Sequence, residues 1–173
     1  MKRRLSSFLG TVVVVAALAG AGGAAAPRWA ENEQGRLCTK TETRSTVARF
    51  VAAWNAGRLD ALDGLVAREP AFKWFSSGAP GDRGAAAFKR SSLRRYFALR
   101  HAQRDRIRIR FFRFNGSDVR KDGSYGHFEY ELERSALDHR QGELFAAVGK
   151  GAVNCSLART AIAVWSMSGA AKG

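Results

Sequence analysis

The sequence predicts an α+β domain in which a strongly bent antiparallel sheet wraps around about three N-terminal helices. Three observations carry that expectation. Apolar residues recur at helical spacing between Val47 and Phe97, then give way to strict alternation after Asp105. From Asp105 to Arg134 the alternation runs along two arms that can be matched, with Ile and Phe on one face and Arg facing Glu on the other. Two further apolar runs, 144–155 and 159–167, follow around a tight turn near Leu157-Ala158, so strands dominate the second half.

The elements follow in order. Lys2-Arg3-Arg4, an apolar run over 8–18 and a small-residue stretch over 19–26 have the layout of an export signal cut near Ala24 or Ala25. Residues 1–25 therefore read as the signal of a secreted protein, and 26–42, polar and irregular, as a flexible arm pinned at Cys38. The domain is expected over 43–168, and 169–173 as a disordered tail. Val47, Phe50, Val51 and Trp54 share one face of a first helix that Asn55-Ala56-Gly57 stops. A short helix over 59–66 turns Leu62, Leu65 and Val66 inward and ends before Pro70. Phe72 and Trp74 lie on one side of a strand over 71–77, Phe75 on the other. After a loop over 77–84, a third helix over 86–103 sets Leu93, Tyr96, Phe97, Arg100 and His101 on one face, with Lys89, Arg90, Arg94, Arg95 and Arg104 as a basic flank.

In the long hairpin, pairing residues whose numbers sum to 239 puts Arg106, Arg108 and Arg110 opposite Glu133, Glu131 and Glu129. The same register sets Ile107, Ile109 and Phe111 opposite Leu132, Tyr130 and Phe128. Its tip is expected over 115–124, where Asn115-Gly116 and Asp122-Gly123 supply turn residues. Gly149 and Gly151 suggest a bulge or bend in the strand that follows.

The whole chain of 173 residues carries a formal charge of +14, and loss of the three basic residues of the signal lowers the mature value to +11. Arg supplies 22 of the 29 basic residues. Such a field attracts anions, and for an exported chain it favours anionic surfaces over nucleic acid. Cys38 and Cys155, an even pair in an exported chain, suggest one disulfide. No metal or cofactor is expected: the His residues at 101, 127 and 139 lack ligand spacing, and there is no phosphate-binding glycine loop or Gly-x-Ser-x-Gly elbow.

Phe50-Val51-Ala52-Ala53-Trp54-Asn55-Ala56-Gly57-Arg58-Leu59-Asp60, Phe72-Lys73-Trp74-Phe75, Leu93-Arg94-Arg95-Tyr96-Phe97 and Ala161-Ile162-Ala163-Val164-Trp165-Ser166, in this element order, resemble the nuclear transport factor 2-like superfamily. The resemblance covers about 43–168 and implies a cone-shaped, cystatin-like roll with a conical pocket between sheet and helices. It also implies that two copies can pair through the outer face of the sheet. The superfamily includes ketosteroid isomerases, SnoaL-like cyclases, dehydratases and members that only bind, so fold alone selects no activity.

Within such a pocket, Trp54, Trp74, Tyr96, Tyr130 and Trp165 are the aromatic candidates for ligand contact, or simply for core. His101, with Asp105 four residues on, and Tyr96 are the candidates for acid–base chemistry. The leading expectation is a secreted binding domain for a small apolar ligand or a protein partner; the alternative is an isomerase-like or SnoaL-like enzyme.

Overall fold

The computed structural model describes residues 36–68, 72–76, 85–156 and 159–170. These form helices α1 (Lys40–Asn55), α2 (Leu59–Gly64) and α3 (Arg90–Ala102), and strands β1 (Lys73–Ser76), β2 (Ala85–Ala87), β3 (Arg106–Arg120), β4 (Gly123–Ser135), β5 (Phe145–Asn154) and β6 (Ala161–Gly169). The segment read as an export signal, most of the arm after it, Pro70 and the turn at Leu157-Ala158 lie outside the described residues.

Order begins earlier than the expected arm allows. Thr39 and Glu42 form a capping box: the Thr39 hydroxyl accepts from the Glu42 N–H, and the Glu42 carboxylate accepts from the Thr39 N–H at 3.0 Å. α1 therefore starts at Lys40. Upstream, Arg36 pairs with Glu42 at 2.6 Å and donates to the Cys155 carbonyl at 3.2 Å. At the far end, the Asn55 side chain donates to the Ile107 carbonyl at 2.8 Å and accepts from the Ile107 N–H at 2.9 Å, which fastens α1 to β3. Gly57 then turns the chain with a φ of +64°, its bare Cα lying against the His101 ring.

The strand order is β2-β1-β6-β5-β4-β3. Four of the five pairings are antiparallel, as expected, but β1 runs parallel to β6, with Trp74 beside Trp165, so the sheet is mixed. The expected sheet was antiparallel throughout, and β1 departs from it because a lone strand pattern carries no direction. β2 (Ala85–Ala87) takes Ala86 and Ala87 from the expected third helix, which consequently starts at Arg90. Gly169 belongs to β6, not to a tail.

As far as Ile109 the hairpin keeps its expected faces but not its expected register. Arg108 lies opposite Glu133 and Ile109 opposite Leu132, a slide of two residues from the expected pairs. Two residues restore the face, so alternation cannot tell these registers apart. A bulge between Ile109 and Phe111 then flips the pattern: Phe112 and Phe114 turn inward against Tyr130 and Phe128, and Phe111 is left exposed. The Arg/Glu ladder becomes Arg108 and Arg110 with Glu133, both at 2.7 Å, and Arg113 with Glu129 at 2.5 Å. A second irregularity follows Phe114, and the turn is the pair Lys121-Asp122, with Arg120 opposite Gly123.

Of the bulge or bend expected at Gly149 and Gly151, the pairing of β5 with β6 shows an irregularity one residue on, between Ala152 and Val153. Gly149 pairs with Tyr130 and Gly151 with Phe128, and a Cβ on either would lie within 2.5 Å of the facing ring atoms. Both are bare so that the rings lie down across β5. Cys38 and Cys155 are joined by a disulfide, Cα atoms 5.7 Å apart, which ties the entry to α1 to the end of β5.

Candidate functional site

Helices and sheet enclose an aromatic core. Phe50, Trp54, Trp74, Phe97, Phe128, Tyr130 and Trp165 are all buried. Trp74 stacks on Trp165 at 5.6 Å with the planes 8° apart, and on Trp54 at 6.0 Å and 15°. Tyr130 stacks on Trp165 at 4.5 Å. Four of the five aromatics expected as ligand contacts thus meet one another, and Tyr96 joins them at 6.0 Å from Trp74. The Tyr130 hydroxyl donates to the Ser166 carbonyl at 3.0 Å, and burial pushes its pKa well above the ordinary phenol value. Trp74 Nε1 and Trp165 Nε1 are buried without a hydrogen-bond partner among the described residues.

Beside this core lies a polar cluster that sequence reasoning missed. The Asp105 side chain is fully buried just before β3, and the Arg134 side chain is 1% exposed near the end of β4. Arg134 donates to Asp105 through Nε at 3.0 Å and through Nη2 at 2.5 Å. It also reaches the Tyr96 hydroxyl at 3.3 Å and Ser76 Oγ at 3.4 Å, and lies 5.9 Å from the Trp54 ring. Arg100 of α3 donates to Asp105 as well, and its two terminal nitrogens grip Asp138 at 2.6 and 3.0 Å. Tyr96 completes the cluster by donating to Ser76 at 2.8 Å. Asp105 and Arg134 bracket the alternating segment, and charge at both ends of one hairpin was the available signal.

His101 and Asp105 do not come together. His101 is exposed at the end of α3 and packs on Gly57, while both Asp105 oxygens are taken by guanidiniums. Tyr96, expected with His101, instead serves Arg134 and Ser76. A carboxylate ringed by two arginines and shut off from solvent has no free oxygen for a substrate proton. Among the described residues, Asp105 is the only fully buried carboxylate, and no group of three or more His, Cys, Asp or Glu could hold a metal ion.

The face of the sheet turned away from the helices carries two adjoining cavities, of about 580 and 350 Å³, which share Glu129 and Lys150. Ala152 and Val164 lie along the larger, Val148 and Phe111 along the smaller. Val148 is 44% exposed and Phe111 46%. Lys73 and Lys150 on its rim make no salt bridge among the described residues. Near the hairpin tip, Asp118 pairs with His127 at 2.9 Å and Arg120 at 2.8 Å, and hydrogen bonds from these two hold its pKa below the usual carboxylate value.

No family model and no curated protein matches this chain. Solved structures do. A Xanthomonas campestris protein proposed to be a calcium/calmodulin dependent protein kinase II association domain superposes with a TM-score of 0.59 at 10% identity, over 80% of this chain and 96% of that one. A proposed dehydratase of the NTF2-like family from Streptomyces avermitilis gives 0.56 at 11% identity, over 76% and 96%. A protein of unknown function with a cystatin-like fold from Nostoc punctiforme gives 0.56 at 13%, over 78% and 95%. The chain therefore has the nuclear transport factor 2-like, cystatin-like fold. At such identities the likeness speaks for the fold alone.

Proposed function

We propose that the chain is an exported, non-catalytic binding module, and that it binds a protein partner on the outer face of its sheet. One observation carries most of the weight: the buried carboxylate beside the aromatic core, Asp105, is locked between Arg100 and Arg134. Acid–base chemistry in such a cone needs a carboxylate or imidazole free to exchange a proton with a substrate. Export is supported by the Cys38–Cys155 disulfide, which persists in oxidising compartments, and by the signal-like first 25 residues.

Small-molecule sites enclose most of their ligand, whereas the outer-face furrow is broad and bears exposed Phe111 and Val148. An apolar strip flanked by Lys73 and Lys150, which make no salt bridge among the described residues, and by Glu129 and Glu131 suits another protein surface. A second copy of the chain is the simplest such surface. Native mass spectrometry of the protein purified from its exporting cells tests this. A dimer or heterocomplex, lost on Val148→Glu, is expected. A monomer carrying a retained small molecule would return the binding site to the interior, and a bare monomer would leave the furrow without an occupant; either refutes the proposal.

A further inference from the structure

We propose that a cavity between α1, α2 and the start of β6 binds a phosphate-bearing ligand. It is separate from the outer-face furrow and stands or falls independently of it. The cavity measures about 350 Å³, and three arginines line it, Arg49, Arg58 and Arg159. The single acidic residue in its lining is Asp60, which is already paired with Arg94 at 2.6 Å and has a side chain 91% exposed. Arg58 and Arg159 make no salt bridge among the described residues.

Arg49 shows the most about the site. Its Nη2 donates to the hydroxyls of Thr46 and Thr160, each at 3.2 Å, and those hydroxyls bond one another at 2.7 Å. Thr46 is fully buried, so this anchor is part of the fold. Neutral acceptors orient the guanidinium without cancelling its charge, and its remaining N–H groups are left for another acceptor. Three like charges gathered in a concavity repel one another, and a bound anion relieves that repulsion. Guanidinium forks match phosphate oxygens in paired hydrogen bonds. Three of them, carried by α1, by the residue before α2 and by the approach to β6, suit the three oxygens of a phosphate monoester better than the two of a planar carboxylate. The apolar part of the wall, Ala53, Ala61 and Leu65, leaves room for a compact uncharged body beyond the phosphate.

The test is calorimetric titration of the protein with inorganic phosphate, run beside co-flotation with phosphatidylcholine vesicles with and without phosphatidic acid. Saturable binding in either arm is expected; phosphate binding points to a soluble phosphorylated ligand, and vesicle binding alone to a lipid headgroup. Arg58→Ala and Arg159→Ala change exposed residues and are expected to keep the circular dichroism spectrum while weakening binding at least tenfold, roughly 1.4 kcal/mol. Arg95→Ala on α3 removes the same charge outside the cavity and is expected to change affinity less than twofold. No saturable binding in either arm would overturn the proposal. So would equal losses from Arg95→Ala and Arg159→Ala, since diffuse attraction would then explain the binding.

Discussion

Replacing Asp105 by Ala removes the anion on which two arginines converge. Arg100 keeps Asp138 after the change, but Arg134, with 1% of its side chain exposed, loses the carboxylate to which it donates through both Nε and Nη2, while its bonds to the neutral oxygens of Tyr96 and Ser76 remain. Removing one partner of a buried ion pair costs about 3–5 kcal/mol, and Asp105→Ala is expected within that range. Arg134→Met leaves Asp105 with Arg100 and so is expected to cost less, about 3 kcal/mol, at the lower edge of the same range. The double variant removes both charges and leaves Arg100 with Asp138, so its cost falls short of the sum of the singles by about 1–3 kcal/mol. Urea unfolding followed by tryptophan fluorescence reads this directly. With a slope of about 2 kcal/mol per molar, Asp105→Ala moves the midpoint down by roughly 1.5–2.5 M. Additive single and double losses, or an Asp105→Ala shift below about 0.5 M, would refute the reasoning. The carboxylate would then be held loosely enough to serve a substrate, and the case against catalysis would fail with it.

Three more outcomes are expected. Cys38→Ser with Cys155→Ser opens a loop of 117 residues, and the chain-entropy relation puts the loss at about 5 kcal/mol; non-reducing and reducing melts of the natural protein should differ by a matching amount. Gly149→Ala drives a methyl to 2.2 Å from the Ser166 carbonyl and 2.4 Å from the Tyr130 hydroxyl, so a loss of about 1–3 kcal/mol is expected in the same urea assay. The Asp138 carboxyl is held below its ordinary value of 3.8 by hydrogen bonds from Arg100. A lowered folded-state pKa gives stability that is present above pH 4 and lost as pH falls through the folded value, so Asp138→Asn should flatten the acid limb of a stability–pH profile below pH 4 relative to the natural chain.

The fold was legible where period and partner agreed. Helical spacing around Phe50 and Trp54, the arginine-glutamate alternation and the late apolar runs were enough for the class and for the inward face of the hairpin as far as Ile109. Register was not, because a shift of two residues keeps every side chain on its face. Adjacent Phe111 and Phe112 interrupt the alternation and were the one local sign of the bulge. The site was read less well. His101 looked inward from its spacing past Phe97, but the last turn of α3 emerges from the core there. Asp105 looked like its companion because proximity in sequence says nothing of Arg134, which reaches it from across the hairpin. The three-arginine cavity draws on residues more than 100 positions apart and had no sequence signature.

The position of β6 between β1 and β5 sets an order on assembly. β1 and β2 precede it by more than seventy residues and join the sheet only through it, so Trp74 has no Trp165 to stack on until residues 161–169 exist. Cys38 likewise waits for Cys155. A chain emerging N-terminus first, from a ribosome or through a membrane pore, can build α1 and the β3–β4 hairpin early, yet it can close neither sheet nor disulfide until the interior strand arrives. Long-range pairing of this kind is slow to nucleate, and it keeps an unfinished chain open, in the state that threading across a membrane requires.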